Sequence, residues 1–108
     1  MRRGDLLTVI VPGDFGTPRP AVVIQTDFAE ELDTVIVCMI TSDLGSPWRF
    51  RVTVPANSET GLRAPSQIMA DKLFTSYREK CGPVFGRLGG PNLAELNEAL
   101  TFMIGLGE

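Results

Sequence analysis

Histidine is absent from the chain. That removes the usual side chain for acid–base work near neutral pH, the commonest metal ligand, and every Ser–His or Cys–His nucleophile pair. Cysteine is scarce, with only Cys38 and Cys81. Two thiols make neither a disulfide framework nor a paired metal-ligand spacing. Cys38 stands inside the apolar run Val35-Ile36-Val37-Cys38-Met39-Ile40 and is expected to be a buried thiol. No apolar stretch approaches membrane-spanning length. Arg2-Arg3, followed at once by Gly4-Asp5 and a short apolar run, does not read as a secretory signal. The expectation is a cytoplasmic protein with no metal or other cofactor and no membrane partner.

At 108 residues and 44% hydrophobic content, the chain is long enough for one domain, residues 1–108, with a real core and no need of staples. The net charge of −3 is unevenly spread. Asp27, Glu30, Glu31 and Asp33 cluster without a base among them. Between Arg49 and Arg87 the bases Arg49, Arg51, Arg63, Lys72, Arg78, Lys80 and Arg87 face only Glu59, Asp71 and Glu79. A basic face on an acidic protein is one reading; charges scattered over a solvated surface is the other.

Leu6 to Val11 reads as a first strand, stopped by Pro12-Gly13. A loop follows to Pro18, and Ala21 to Thr26 reads as a second strand. Phe28 to Asp33 is a polar connection with room for one helical turn. Thr34 to Ile40, apolar and β-branched, reads as a central strand buried on both faces. Trp48 to Val54 alternates, with Phe50, Val52 and Val54 on one side and Arg49, Arg51 and Thr53 on the other. Ser66 to Ala70 reads as a strand, continuing extended through Tyr77. Val84 to Leu88 is a short strand or helix. Pro91 suits the first turn of a terminal helix to Ile104. Leu93, Leu96, Leu100, Met103 and Ile104 form its apolar stripe, and Gly105 can cap it. Short strands, Gly/Pro turns and one terminal helix predict a mainly β fold, a small curved sheet or barrel with a C-terminal α-helix.

Arg19 stands between Pro18 and Pro20, which bias its backbone toward an extended form at a loop-to-strand junction. A cation there can hold an anion; equally, it can be a surface arginine beside a turn. Arg49 and Arg51 beside Trp48 suggest a surface that stacks bases and tracks phosphates, or a solvated face whose arginine stems cover apolar area. Thr41, closing the central strand, can equally be an ordinary strand-end threonine.

In order along the chain stand Arg3-Gly4-Asp5, Arg19-Pro20 leading into an apolar strand, Gln25-Thr26-Asp27 closing it, and Thr41-Ser42 after a hydrophobic strand. Phe50-Arg51-Val52, Gly61-Leu62, Ser66 to Leu73 and Gly86-Arg87-Leu88 follow. Together they resemble the MazF/PemK family of toxin endoribonucleases over most of the chain. The resemblance implies a CcdB/MazF-like, SH3-like small barrel acting as a homodimer. It implies a type II toxin that cleaves single-stranded RNA sequence-specifically without a metal, restrained by a cognate antitoxin. Carried over by position, the catalytic arginine is Arg19 and the catalytic threonine Thr41, with Ser42 beside it. Phe15, Thr17, Trp48, Arg49 and Arg51 are the candidate substrate-binding residues.

The chemistry suits that assignment. The 2′-hydroxyl of RNA supplies its own nucleophile, so the protein needs to align the backbone and stabilise charge on the phosphate. Arg19 offers a permanently charged fork, Thr41 a hydroxyl donor, and Phe15 and Trp48 faces for splayed bases. The proton acceptor for the 2′-hydroxyl has no obvious owner, and Asp27 lies at the far end of the strand that Arg19 begins. The chain departs from the family in carrying Lys72 after Asp71 and in its short Pro12–Pro18 loop. Two other classes share the fold: a CcdB-like gyrase inhibitor, whose Trp-Gly-Ile ending this chain lacks, and a non-catalytic SH3-like interaction module.

Overall fold

The computed structural model describes residues 1–45 and 50–108. Six strands are described: β1 (Asp5–Ile10), β2 (Pro18–Val23), β3 (Thr34–Thr41), β4 (Arg51–Val54), β5 (Ser66–Tyr77) and β6 (Gly86–Arg87). One helix, α1 (Gly90–Met103), ends the fold, and single 3-10 turns lie at Asp27–Ala29 and Arg78–Lys80. The strands form one antiparallel sheet in the order β4-β5-β3-β2-β1-β6. The mainly β architecture with a terminal helix is the one expected.

Strand alternation divides the apolar residues between the two faces of the sheet. Leu6, Val22, Cys38, Ile40, Val52 and Ile68 face α1 and pack with Leu96, Ala99 and Leu100. Leu7, Val9, Ala21, Val23, Val35 and Val37 form a second cluster on the opposite face, joined by Val11, Met39, Phe74 and Cys81. β3 therefore feeds both clusters, as an unbroken apolar run requires. Only Ile36 breaks the pattern; it is exposed, beyond the end of α1.

β5 supplies the curvature. It pairs with β3 from Tyr77 back to Leu73, opposite Cys38, and the register then jumps so that Met39 meets Met69. Ala70, Asp71 and Lys72 fall in the jump without partners on β3, a bulge that bends the strand. β4 pairs with the first arm of β5 alone, from Ser66 to Met69. β6 is short because it threads a narrow gap: a Cβ at Gly86 would run into the backbone carbonyl of Thr60.

The helical stripe packs over a shorter length than its spacing implies. Leu96, Ala99 and Leu100 are buried, whereas Met103 and Ile104 are exposed. Past the buried Leu100 the helix end stays open to solvent, and Ile104 and Leu106 line an open groove of about 380 Å³ with Ile24, Ile36 and Leu73. Among the described residues no helix is long and apolar enough to cross a membrane.

Candidate active site

Arg19 belongs to a strand, in contrast to the loop junction expected from the sequence: β2 begins at Pro18, and Arg19 pairs with Val9 of β1. The prolines permit this because the ladder to β3 is formed only from Ala21 onward. They occupy the part of β2 bonded on one side alone, where a missing N–H does no harm. The strand also stops early, at Val23. Ile24 and Gln25 both donate their N–H to the Ile36 carbonyl, at 3.0 and 3.2 Å, and so step out of the ladder. Asp27 lies beyond them, where it accepts from the Arg3 N–H at 2.7 Å.

β2 pairs with β3 through Val23↔Val37, Val22↔Cys38 and Ala21↔Met39. Beyond Ala21 and Met39 the two strands are no longer paired. Arg19 lies two residues before Ala21 and Thr41 two residues after Met39, so strand alternation puts both on the face that carries Ala21, Val23, Val37 and Met39, at the rim of the second apolar cluster. Thr41 pairs with Gln67 of β5, and Gln67 with Thr53 of β4. A polar row thus crosses three strands at one level.

Each member of the pair is held. The Arg19 Nε–H donates to Asp14 Oδ2 at 2.5 Å and Nη2–H to Asp14 Oδ1 at 3.0 Å. This hydrogen-bonded ion pair holds the Asp14 carboxyl below its ordinary value and raises Arg19 above its own. Asp14 is the residue that sequence reasoning missed. The signal was present, in an acid five positions before the arginine across a turn fixed by Gly and Pro. The Thr41 hydroxyl accepts the Asp43 N–H at 3.1 Å. A hydroxyl that accepts through its oxygen still has its proton to give, so Thr41 can donate to an anion placed beside Arg19.

The other candidates divide. Phe15, at the tip of the β1–β2 loop, is wholly exposed and holds a left-handed backbone at φ 52°. Thr17 is exposed on the same loop and donates its N–H to the Asp14 carbonyl at 3.0 Å. Ser42 is exposed just past Thr41. Trp48 and Arg49 lie outside the described residues. Arg51 opens β4, but its fork is engaged by Asp71, with Nε to Oδ1 at 3.1 Å and Nη2 to Oδ2 at 3.4 Å. Asp71 stands in the β5 bulge, and that bend brings it to Arg51. Among the described residues no group of three or more Cys, Asp and Glu side chains is placed to hold a metal.

The fold, a small curved sheet with a terminal helix, is shared with solved structures along its whole length. An endoribonuclease from a mycobacterial species, solved with its cognate antitoxin, superposes with a TM-score of 0.85 at 16% identity, covering 100% of this chain and 98% of that one. The chain belongs to the PemK-like, MazF-like toxin family of type II toxin–antitoxin systems, whose model matches residues 2–104. A probable endoribonuclease MazF of Mycolicibacterium smegmatis is 33% identical over 108 residues, covering 98% of both chains. Endoribonuclease MazF9 of Mycobacterium tuberculosis is 29% identical over 116 residues, again covering 98% of both. Membership decides among the three classes left open by the sequence, in favour of the endoribonuclease toxins.

Proposed function

We propose that this toxin cuts single-stranded RNA at a site built on Arg19 and Thr41, without a metal. What supports the reading is that strand alternation puts both residues on one face of the sheet, each just past the end of the β2–β3 pairing. With the scissile phosphate between them, the 2′-oxygen attacks phosphorus, giving up its proton to a base. The bond to the 5′-oxygen breaks, and that oxygen gains a proton. The products are a 2′,3′-cyclic phosphate, or its opened form, and a 5′-hydroxyl. Arg19 neutralises the charge that grows on the phosphate oxygens, and Thr41 donates a hydrogen bond to the same group. Phe15 offers its exposed ring to a base splayed from the strand.

The partners follow from the same reading. A mycobacterial relative was solved with its cognate antitoxin, and an antitoxin is the natural inhibitor here. The end of α1 and the residues after it expose Met103, Ile104 and Leu106, apolar area that a homodimer would cover. The working compartment is the cytoplasm.

The deciding experiment incubates purified protein with a long single-stranded RNA in excess EDTA and maps the fragment ends. Cyclic phosphate and 5′-hydroxyl ends are expected. Activity abolished by EDTA and restored by magnesium would sink the metal-free mechanism.

A further inference from the structure

The loop that joins β2 to β3 lies at the end of the sheet away from Arg19 and Thr41. The two strands run antiparallel. Arg19 stands near the start of β2 and Thr41 at the end of β3, so they share one end and the loop takes the other. Tyr77, opposite Thr34, and the Arg78–Lys80 turn stand at that second end too.

The loop is held from within. The Arg78 N–H donates to the Asp33 carbonyl at 2.8 Å. Its Nε–H donates to the Leu32 carbonyl at 2.6 Å, and Nη2–H to the Ala29 carbonyl at 3.3 Å. The Gln25 amide donates to the carbonyls of Ala29 and Thr34 at 3.4 and 3.2 Å. Backbone groups turned inward leave side chains turned outward. Phe28 is 92% exposed, Leu32 48% and Tyr77 58%. An aromatic ring held out on a fixed support has little freedom left to lose when a partner covers it.

Charge narrows the partner. Glu30, Glu31, Asp33 and Glu79 are exposed, and among the described residues none of them joins an ion pair. The Arg78 fork does not neutralise them, since its nitrogens turn to the Leu32 and Ala29 carbonyls and the Met1 sulfur. A hollow of about 380 Å³ opens between Asp33, Tyr77, Arg78 and Glu79. Two carboxylates and a phenol ring suit an ammonium or guanidinium, through ion pairing and a cation–π contact. A second copy of this chain does not suit, because a two-fold contact here would set carboxylates against their own copies.

We propose that this end of the sheet docks a basic segment of another protein. Its lysine or arginine enters the hollow between Asp33 and Glu79, and a neighbouring apolar side chain packs on Phe28 and Leu32. The partner sits away from Arg19 and Thr41, so it leaves that end of the sheet open.

The test is fluorescence anisotropy with a panel of short labelled peptides in which arginine and leucine stand at increasing spacings. Glutamate–leucine and arginine–serine peptides are the controls, and amide NMR shifts locate what binds. An arginine–leucine peptide is expected to bind more tightly than both controls, to weaken as salt is raised, and to shift residues 28–33 and 77–80. Phe28→Ser and the Asp33→Asn/Glu79→Gln double variant should each weaken it by about tenfold or more. Their melting temperatures should be nearly unmoved, because these side chains face solvent. RNA cleavage should continue with the peptide bound. A panel in which no arginine–leucine peptide outbinds the controls would overturn the proposal, as would unchanged affinity in both variants or shifts centred elsewhere. A smaller oligomer for Phe28→Ser by light scattering would overturn it in favour of a second copy. The binding readouts do not use the cleavage site, so they stand whether or not Arg19 and Thr41 cut RNA.

Discussion

Arg51 and Asp71 hold each other across β4 and the bulge of β5, each side chain less than one-fifth exposed. The pair ties the bend of one strand to the edge strand beside it. An arginine that looks from the sequence like a free phosphate-tracking group thus has a structural partner. Arg51→Ala would leave Asp71 half-buried and unpaired, and should cost about 1–3 kcal/mol. Denaturant unfolding measures this. A variant as stable as the parent but weakened in RNA binding would assign Arg51 to the substrate instead.

Arg19 separates chemistry from fold. Its side chain is half-exposed, so Arg19→Ala should leave stability nearly unchanged. Cleavage should fall by about a hundredfold or more. Arg19→Lys should rescue poorly, since a point charge does not reproduce the fork. A thermal melt with single-turnover kinetics reads both quantities, and parental cleavage by Arg19→Ala would refute the assignment.

Thr41→Val keeps the β-branched shape and removes the hydroxyl. If the hydroxyl acts chiefly on the transition state, cleavage should drop more than RNA affinity. Equal losses in the two would mean that Thr41 merely binds. The variant also removes the acceptor for the Asp43 N–H, so a melt accompanies the kinetics.

The Asp14 carboxyl should titrate below its ordinary 3.8, because Arg19 hydrogen-bonds its ionised form. A group lowered in the folded state contributes stability above its unfolded value and loses that contribution as pH falls through its folded value. The pair should therefore persist from neutral pH down past 3.8 and be lost only in stronger acid. Carboxyl carbon shifts followed by NMR check this. Arg19→Ala should return Asp14 toward its ordinary value, and a parental Asp14 titrating at or above it would contradict the pairing.

The two thiols should differ sharply. Burial pushes the Cys38 thiol up to about 12 and closes it to reagents, whereas Cys81 is partly exposed. A thiol reagent at mildly alkaline pH should label Cys81 alone in the native protein, and both after denaturation. Labelling of native Cys38 would contradict the β3 core.

Much of this fold is legible in the sequence because strand alternation and the terminal helix are local patterns. Thr34–Thr41 announces itself through β-branched and apolar residues, whereas Ser66–Tyr77, with Gln67, Asp71 and Lys72 inside it, reads less clearly as extended. The site is legible only in part. Arg19 and Thr41 are proposed from their positions in a family pattern. That Arg19 lies in β2 depends on pairing with β1, which two prolines obscure. Asp14 depends on a turn that brings an acid back over its arginine, and Asp71 on a bulge set by the pairing of three strands. The exposed Met103 and Ile104 show the same limit: a stripe records which face of a helix is apolar, but the length of sheet beneath it decides how much is covered.

The clasp between the chain's two ends has a consequence for synthesis. Asp5, nearly buried, accepts from Arg87 at 2.8 Å. The Phe85 N–H donates to the Leu6 carbonyl at 2.8 Å, and the Leu88 N–H to the Gly4 carbonyl at 2.9 Å. The first strand thus waits on residues translated some eighty positions after it, and α1, which covers one face of the sheet, is translated later still. Contacts so distant in sequence form late. A nascent toxin emerging from the ribosome lacks its closing strand and its helix until residues 86–103 have left the exit tunnel, so the sheet stays open until then. Protease protection of stalled chains should appear only for lengths that carry α1 clear of the exit tunnel; protection of chains ending before Gly86 would show the sheet closing without its clasp.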